Sequence, residues 1–225
     1  MNRTLRQIGL LIQKDLRIEA RGRQTIGLVI VLGILIIVVL GMGLGAGRPV
    51  SGFGATSILW VTYLFGGVLC FEKTMAVERF DDALAGLLIA PIDRGVIYAS
   101  KLITNLLLII GLALVVTPVA MTLFRFDLSE HPLAFFIVMS LGVTGFTAVG
   151  TLFSAAVSST RLQGGLLAML VFPLSLPVVI MSTQLMRKVF EEGVPLTSTD
   201  VATLCAFDMI FLIVSWLVFE LVLEP

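Results

Sequence analysis

Long apolar runs separated by short charged stretches set the pattern of this chain. Runs free of Asp, Glu, Lys and Arg cover 24–47, 49–71, 102–124, 131–160 and 162–186, and a sixth, 201–219, is interrupted only by Asp208. Each approaches or exceeds the ~20 residues that a helix needs to cross ~30 Å of hydrocarbon. A long core helix of a soluble protein carries a polar stripe, and these runs have none. Nor do they show the alternation of a membrane strand. Helices are the expected solution, because in lipid every backbone donor and acceptor has to be satisfied internally. The expected fold is an all-α integral membrane protein, a six-helix bundle with spans at about 25–47, 52–71, 101–123, 133–159, 163–186 and 202–220.

The polar stretches between the spans add two amphipathic elements. In 1–23, Leu5, Ile8, Ile12 and Leu16 recur at helical spacing, and Arg3, Arg6, Lys14 and Arg17 supply polar positions. This predicts an interfacial helix held in the headgroup layer by anionic lipid, or else a basic tail that only sets topology. Residues 24–225 then form the permease-like membrane domain. The one sizeable polar loop is 72–100, and its first half predicts a helix over about 74–90. Ala76, Phe80, Leu84 and Leu87 share one face, Glu78, Asp81 and Asp82 the other, and Pro91 stops the helix. Asp93 and Arg94 then read as a turn before lipid at Lys101. Such a helix lying along the membrane is either a lever for a partner, a coupling helix, or a connector that floats at the interface.

Charge settles orientation more than class. Charged residues make up 13% of the chain, about half the ~25% of soluble proteins. The net charge of zero gives no reason to expect nucleic acid. With 1–23 inside, eleven Lys and Arg fall in cytoplasmic segments and four (Arg48, Arg125, Arg187, Lys188) outside. The positive-inside rule therefore predicts both termini in the cytoplasm. The basic start ahead of a long apolar run does not read as a cleaved signal, so it is expected to be retained. Cys70 and Cys205 match no CxxC motif and fall near opposite membrane faces, too far apart to pair.

Several residues invite a chemical reading. The glycines of 41–47 lack both nucleotide-binding spacings, but Gly41/Gly45 and Gly43/Gly47 form two G-x-x-x-G pairs that suit close helix packing. His131, the single histidine, stands before Pro132 and excludes a multi-histidine metal site. A solvated turn residue and an axial haem ligand are its two readings. No C-x-x-C-H exists to hold haem covalently. Pro173 and Pro177 fall mid-span and are expected to kink or open the helix, as a static bend or a moving hinge, with Ser175 available for the freed carbonyls. Asp208 lies ~12 Å into its span if the helix starts near Asp200. A carboxylate there either faces the bundle, a partner or water, or sits shallower because the chain dips into the membrane from outside.

Four segments resemble the haem exporter protein B family, also called cytochrome c maturation protein B. They are Lys14-Asp15-Leu16-Arg17-Ile18-Glu19, the second span around Leu59-Trp60-Val61, the stretch from Phe71-Glu72-Lys73 to Lys101 with Leu84, Leu87-Leu88 and Pro91 in register, and the fifth span. In that span Arg161-Leu162-Gln163-Gly164-Gly165 and Phe172-Pro173-Leu174-Ser175-Leu176-Pro177 look like the family's Gly-Gly and Leu-Pro-Leu-x-x-Pro signature. One departure stands out: Asp82-Ala83-Leu84-Ala85 replaces the usual Gly-x-Leu-Glu.

The resemblance implies an ABC-2-type permease in the bacterial inner membrane. It would act as a homodimer with a separate ABC ATP-binding subunit, a haem-handling membrane protein and a periplasmic haem chaperone. The function implied is haem export, or ATP-driven release of the haem-loaded chaperone, in cytochrome c maturation. Haem would then be substrate, or bound at a partner interface, rather than a covalent cofactor. The residues meeting the ATPase would be Glu78, Phe80, Asp81, Asp82, Leu84, Leu87 and Pro91, with Gly164, Gly165, Pro173 and Pro177 as hinge or packing positions and Asp208 as an intramembrane polar group. The absence of P-loop, H-E-x-x-H and G-x-S-x-G motifs argues against an enzyme. A same-fold exporter of a drug, lipid or polysaccharide, and a scaffold that transports nothing, remain as alternatives.

Overall fold

Seven helices account for nearly everything the structure, a computed structural model, describes: residues 2–22, 24–45, 50–80, 86, 92–125, 128–129, 131–158 and 165–222. They are α1 (Asn2–Gly22), α2 (Gln24–Gly45), α3 (Gly52–Phe80), α4 (Arg94–Phe124), α5 (Pro132–Ser158), α6 (Gly165–Phe190) and α7 (Ser198–Val222). Helices α2 to α7 are all long and apolar enough to cross a membrane, and no strand occurs among the described residues.

Helices α3 and α5 form the buried middle, while α2, α4, α6 and α7 turn most of their surface outward. Leu28, Val31, Leu35 and Val39 of α2 are exposed at steps of three and four residues, an outward stripe that suits hydrocarbon as solvent. The central pair meets through aromatic rings seated on glycines. Trp60 and Phe71 of α3 lie over Gly142 and Gly150 of α5, and Phe146 of α5 lies over Gly67 of α3. All three rings are fully buried. Lipid offers no hydrophobic force to bring helices together, so close fit of this kind carries their association. A side chain at Gly150 would overlap the Phe71 ring, which Phe146 already packs at 5.1 Å.

The second and third spans are longer than the hydropathy pattern predicts. Helix α3 continues to Phe80, and α4 begins at Arg94 rather than near Lys101. At 29 and 31 residues they run ~43 and ~46 Å, well beyond a ~30 Å hydrocarbon layer. Residues 72–80 and 94–100 of the expected loop are therefore helical. Asp93 is the N-cap of α4 rather than part of a free turn: its backbone is extended and its carboxylate accepts from the Gly95 N–H at 3.1 Å. Asp93→Ala is expected to cost about 1 kcal/mol, read as a lower thermal midpoint in detergent, because one N–H at the helix start loses its acceptor.

At the far end of the bundle, α4 closes on Arg125 in the left-handed region (φ 53°), whose N–H bonds the Met121 carbonyl. Gly193 (φ 65°) follows α6, where the Val194 N–H returns to the Lys188 carbonyl at 3.0 Å. Lys188 then pairs with Asp200 at 2.5 Å, and Glu191 accepts from the Phe53 N–H at 3.1 Å, joining this turn to the start of α3. Both cysteines are free thiols.

Candidate functional site

Buried polar residues gather near the ends of α3 and α4 that flank residues 81–93, among them Asp15, Ser100, Lys101, Thr104 and Asn105. Lys101 on α4 and Asp15 on α1 form an ion pair at 2.8 Å, with 3% and 7% of each residue exposed. Lys14 adds a second, half-exposed ammonium 3.2 Å from the other Asp15 oxygen. One turn along α4, Asn105 bridges the two central helices. Its Oδ1 lies 2.6 Å from the Thr74 hydroxyl of α3, and its Nδ2 donates to Thr151 of α5 at 3.0 Å. The elbow between α1 and α2 is fixed as well, because Glu19 accepts from the Ile26 N–H at 3.0 Å.

An apolar cluster lies beside this network. Met75 of α3, Ile97 and Tyr98 of α4, Leu152 and Ala155 of α5 and Phe219 of α7 form a buried group. Tyr98 packs edge-on to Trp216 at 5.9 Å and donates to the Ala148 carbonyl at 3.4 Å, while Trp216 itself covers Gly95. The first two turns of α4 are thus held on every side. Side-chain contacts there join α4 to α1, α3, α5 and α7.

Of the expected coupling residues, Glu78 and Phe80 fall in the last turn of α3, so 74–80 continue the second span rather than start a separate helix. Asp81, Asp82, Leu84, Leu87 and Pro91 lie outside the described residues. So does Gly164. Gly165 opens α6 with open space around it, so it provides no close packing within this chain. Helix α6 continues unbroken through Pro173 and Pro177, both exposed. Ser175 is buried but its hydroxyl bonds to nothing, so it does not serve the carbonyls that the prolines leave free. Gly41 does receive a neighbour, Phe124 of α4, whereas Gly43 faces open space. The His131 ring packs edge-on to Phe190 at 5.9 Å, and its carbonyl starts α5.

Asp208 is the site that hydropathy located but did not explain. It lies ten residues into α7, ~15 Å along the axis, with 3% of its surface exposed. Neither carboxyl oxygen has a hydrogen-bond partner among the described residues. One oxygen is pressed into the notch that Gly145 leaves on α5, beside Val178 of α6. Helix α6 runs to Phe190 and α7 is continuous from Ser198, so Asp208 stands on an unbroken helix. One turn away on α5, Ser182 and Trp60 converge on Gly142 with their own polar atoms unpaired. Close approach at Gly142 and Gly145 thus creates a strip of unsatisfied polar groups inside the bundle.

Comparison with known proteins places the chain. The family model described as CcmB protein matches residues 6–224. The chain belongs to the CcmB family. Its curated relatives include heme exporter protein B of Rhodobacter capsulatus, 27% identical over 79% of this chain and 81% of the relative. The Paracoccus denitrificans protein of the same name is 27% identical over 84% and 86%. That of Bradyrhizobium diazoefficiens is 28% identical over 92% of each chain. For a CcmB-family chain the Asp15–Lys101 pair is notable, because both residues stand in segments that carry the resemblance, yet spacing alone did not join them.

Proposed function

We propose that this chain is the membrane permease subunit of an ATP-driven complex in haem export and cytochrome c maturation. ATP is hydrolysed in a separate subunit that grips the connection 81–93, and the cycle drives haem export or release of a haem-loaded chaperone. The observation that supports this reading is mechanical: α3 and α4 are longer than a hydrocarbon layer requires, and near 81–93 they are bound into α1, α5 and α7. A push on that connection moves the bundle rather than a loose loop. Family membership and the names of the relatives supply the haem system. The charge bias supplies the orientation, with both termini and 81–93 cytoplasmic. Two copies of the chain, a haem-handling membrane protein and a periplasmic chaperone complete the assembly, and Pro173 and Pro177 are its candidate hinge.

Purification in mild detergent from native membranes tests the reading. Recovery of an ATP-binding subunit with a haem-handling membrane protein is the expected result, and deletion of the gene is expected to abolish c-type cytochromes. Normal c-type cytochromes after deletion would favour an exporter of another substrate. Labelling of a cysteine placed at 81–93 from the periplasmic side would overturn the scheme.

A further inference from the structure

A lateral cleft opens between α4 and α5, with Tyr63 of α3 at its floor. Its volume is about 460 Å³, within the ~300–1,000 Å³ range of ligand sites. It runs from Leu106 to Met121 along α4, a length of ~22 Å. Ile110 and Leu114 on one lip and Phe136 on the other are exposed, Leu114 to 71%, so the mouth faces the hydrocarbon around the bundle.

The lining decides what fits. Among the described residues that line it there is no Lys, Arg, Asp, Glu or His. The deepest polar atoms, the Tyr63 hydroxyl and Thr117 Oγ1, bond each other at 2.9 Å. The two hydroxyls partner each other, and a carboxylate buried there would have no cation to pair with among the described lining residues. A haem would meet thioethers at Met121 and Met139 for its iron, but the described lining offers no cation to either of its two propionates. A flexible apolar chain meets only matching surface. Charge appears just beyond the end of the cleft: exposed Arg125 follows α4, and its N–H bonds the carbonyl of Met121, a lining residue. A cation one turn past a long apolar slot is the arrangement that suits a phosphate joined to a fatty chain.

We infer that the α4–α5 cleft is a phospholipid site, with one acyl chain seated against Tyr63 and Thr117 and the phosphate near Arg125. The lipid is then part of the wall between α4 and α5, the same α4 whose other end flanks 81–93.

Trp60 provides the readout, because it is fully buried and its ring lies 5.9 Å from Tyr63. The full chain carrying Trp216→Phe, which leaves Trp60 as the one tryptophan, is reconstituted in vesicles of phosphatidylglycerol with brominated acyl chains. Quenching of Trp60 is expected. Ala113→Phe, which fills the cleft from α4, and separately Ser140→Phe, from the exposed lip of α5, are expected to remove most of it. Arg125→Gln is expected to weaken quenching by the phospholipid but not by a brominated detergent. Unquenched Trp60, or quenching that both filled variants leave unchanged, would overturn the inference. So would displacement of the brominated chain by added haemin or by a co-purified partner helix. Two variants on opposite walls ensure that a misfolding substitution does not decide the outcome.

Discussion

Lys101→Met is expected to destabilise the chain by about 3–5 kcal/mol, as loss of one partner from a buried ion pair does elsewhere. The reason is the carboxylate left behind. Asp15 is almost fully buried, and its closest cation is Lys101 at 2.8 Å. Lys14 approaches at 3.2 Å but is half-exposed, so it compensates in part and moves the loss toward the lower end of that range. The double variant Asp15→Leu/Lys101→Met removes both charges and is expected to recover most of the stability, since desolvation of an ion pair offsets much of its attraction. Thermal unfolding in detergent with all three variants forms the check. Equal midpoints for the wild type and Lys101→Met would mean that the pair holds nothing. A double variant that remains stable while cytochrome c maturation fails would instead assign the pair to force transmission.

The six spans were legible because hydrocarbon is an unforgiving solvent: a run without charge and long enough to cross is a helix almost by default. Span ends were less legible at one place. Glu72, Lys73 and Arg94 read as loop residues on a hydropathy count, yet all three lie in helix. Helices α3 and α4 are longer than a hydrocarbon layer requires, and charge is tolerated in such a helix once it is solvated or paired. No local pattern announces that. The Asp15–Lys101 contact spans 86 positions, and a partner at that separation is set by how α1 folds back on α4.

Glycine was legible in kind but misplaced in position. The G-x-x-x-G spacing drew attention to 41–47, where Gly41 alone is seen to take a close neighbour. The central contacts fall at Gly142, Gly145 and Gly150, separated by three and five residues, each beneath a side chain of a different size. A spacing rule describes two like helices crossing. Here one helix is notched separately for Trp60, Asp208 and Phe71, which come from two neighbours. The role expected of Ser175 beside the proline pair failed for a related reason: it has the right type and position, but its buried hydroxyl has no partner among the described residues.

Asp208→Asn is expected to raise stability, by up to about 2.5–3.5 kcal/mol, the scale on which an aspartate opposes insertion at a helix centre. The gain follows from the environment. Both carboxyl oxygens are buried and unbonded, and the notch at Gly145 that receives one of them has room for an amide of the same shape. A double-mutant cycle locates the effect. Gly145→Ala places a methyl on the Asp208 oxygen, and overpacking of that kind costs about 1–3 kcal/mol. Combined with Asp208→Ala the overlap disappears, so the pair should show a coupling of about 0.5–3 kcal/mol. Additive losses would mean that the two residues do not touch. A midpoint for Asp208→Asn at or below that of the wild type would mean that the carboxylate has a partner, and in a bundle this closed that partner would have to come from another subunit.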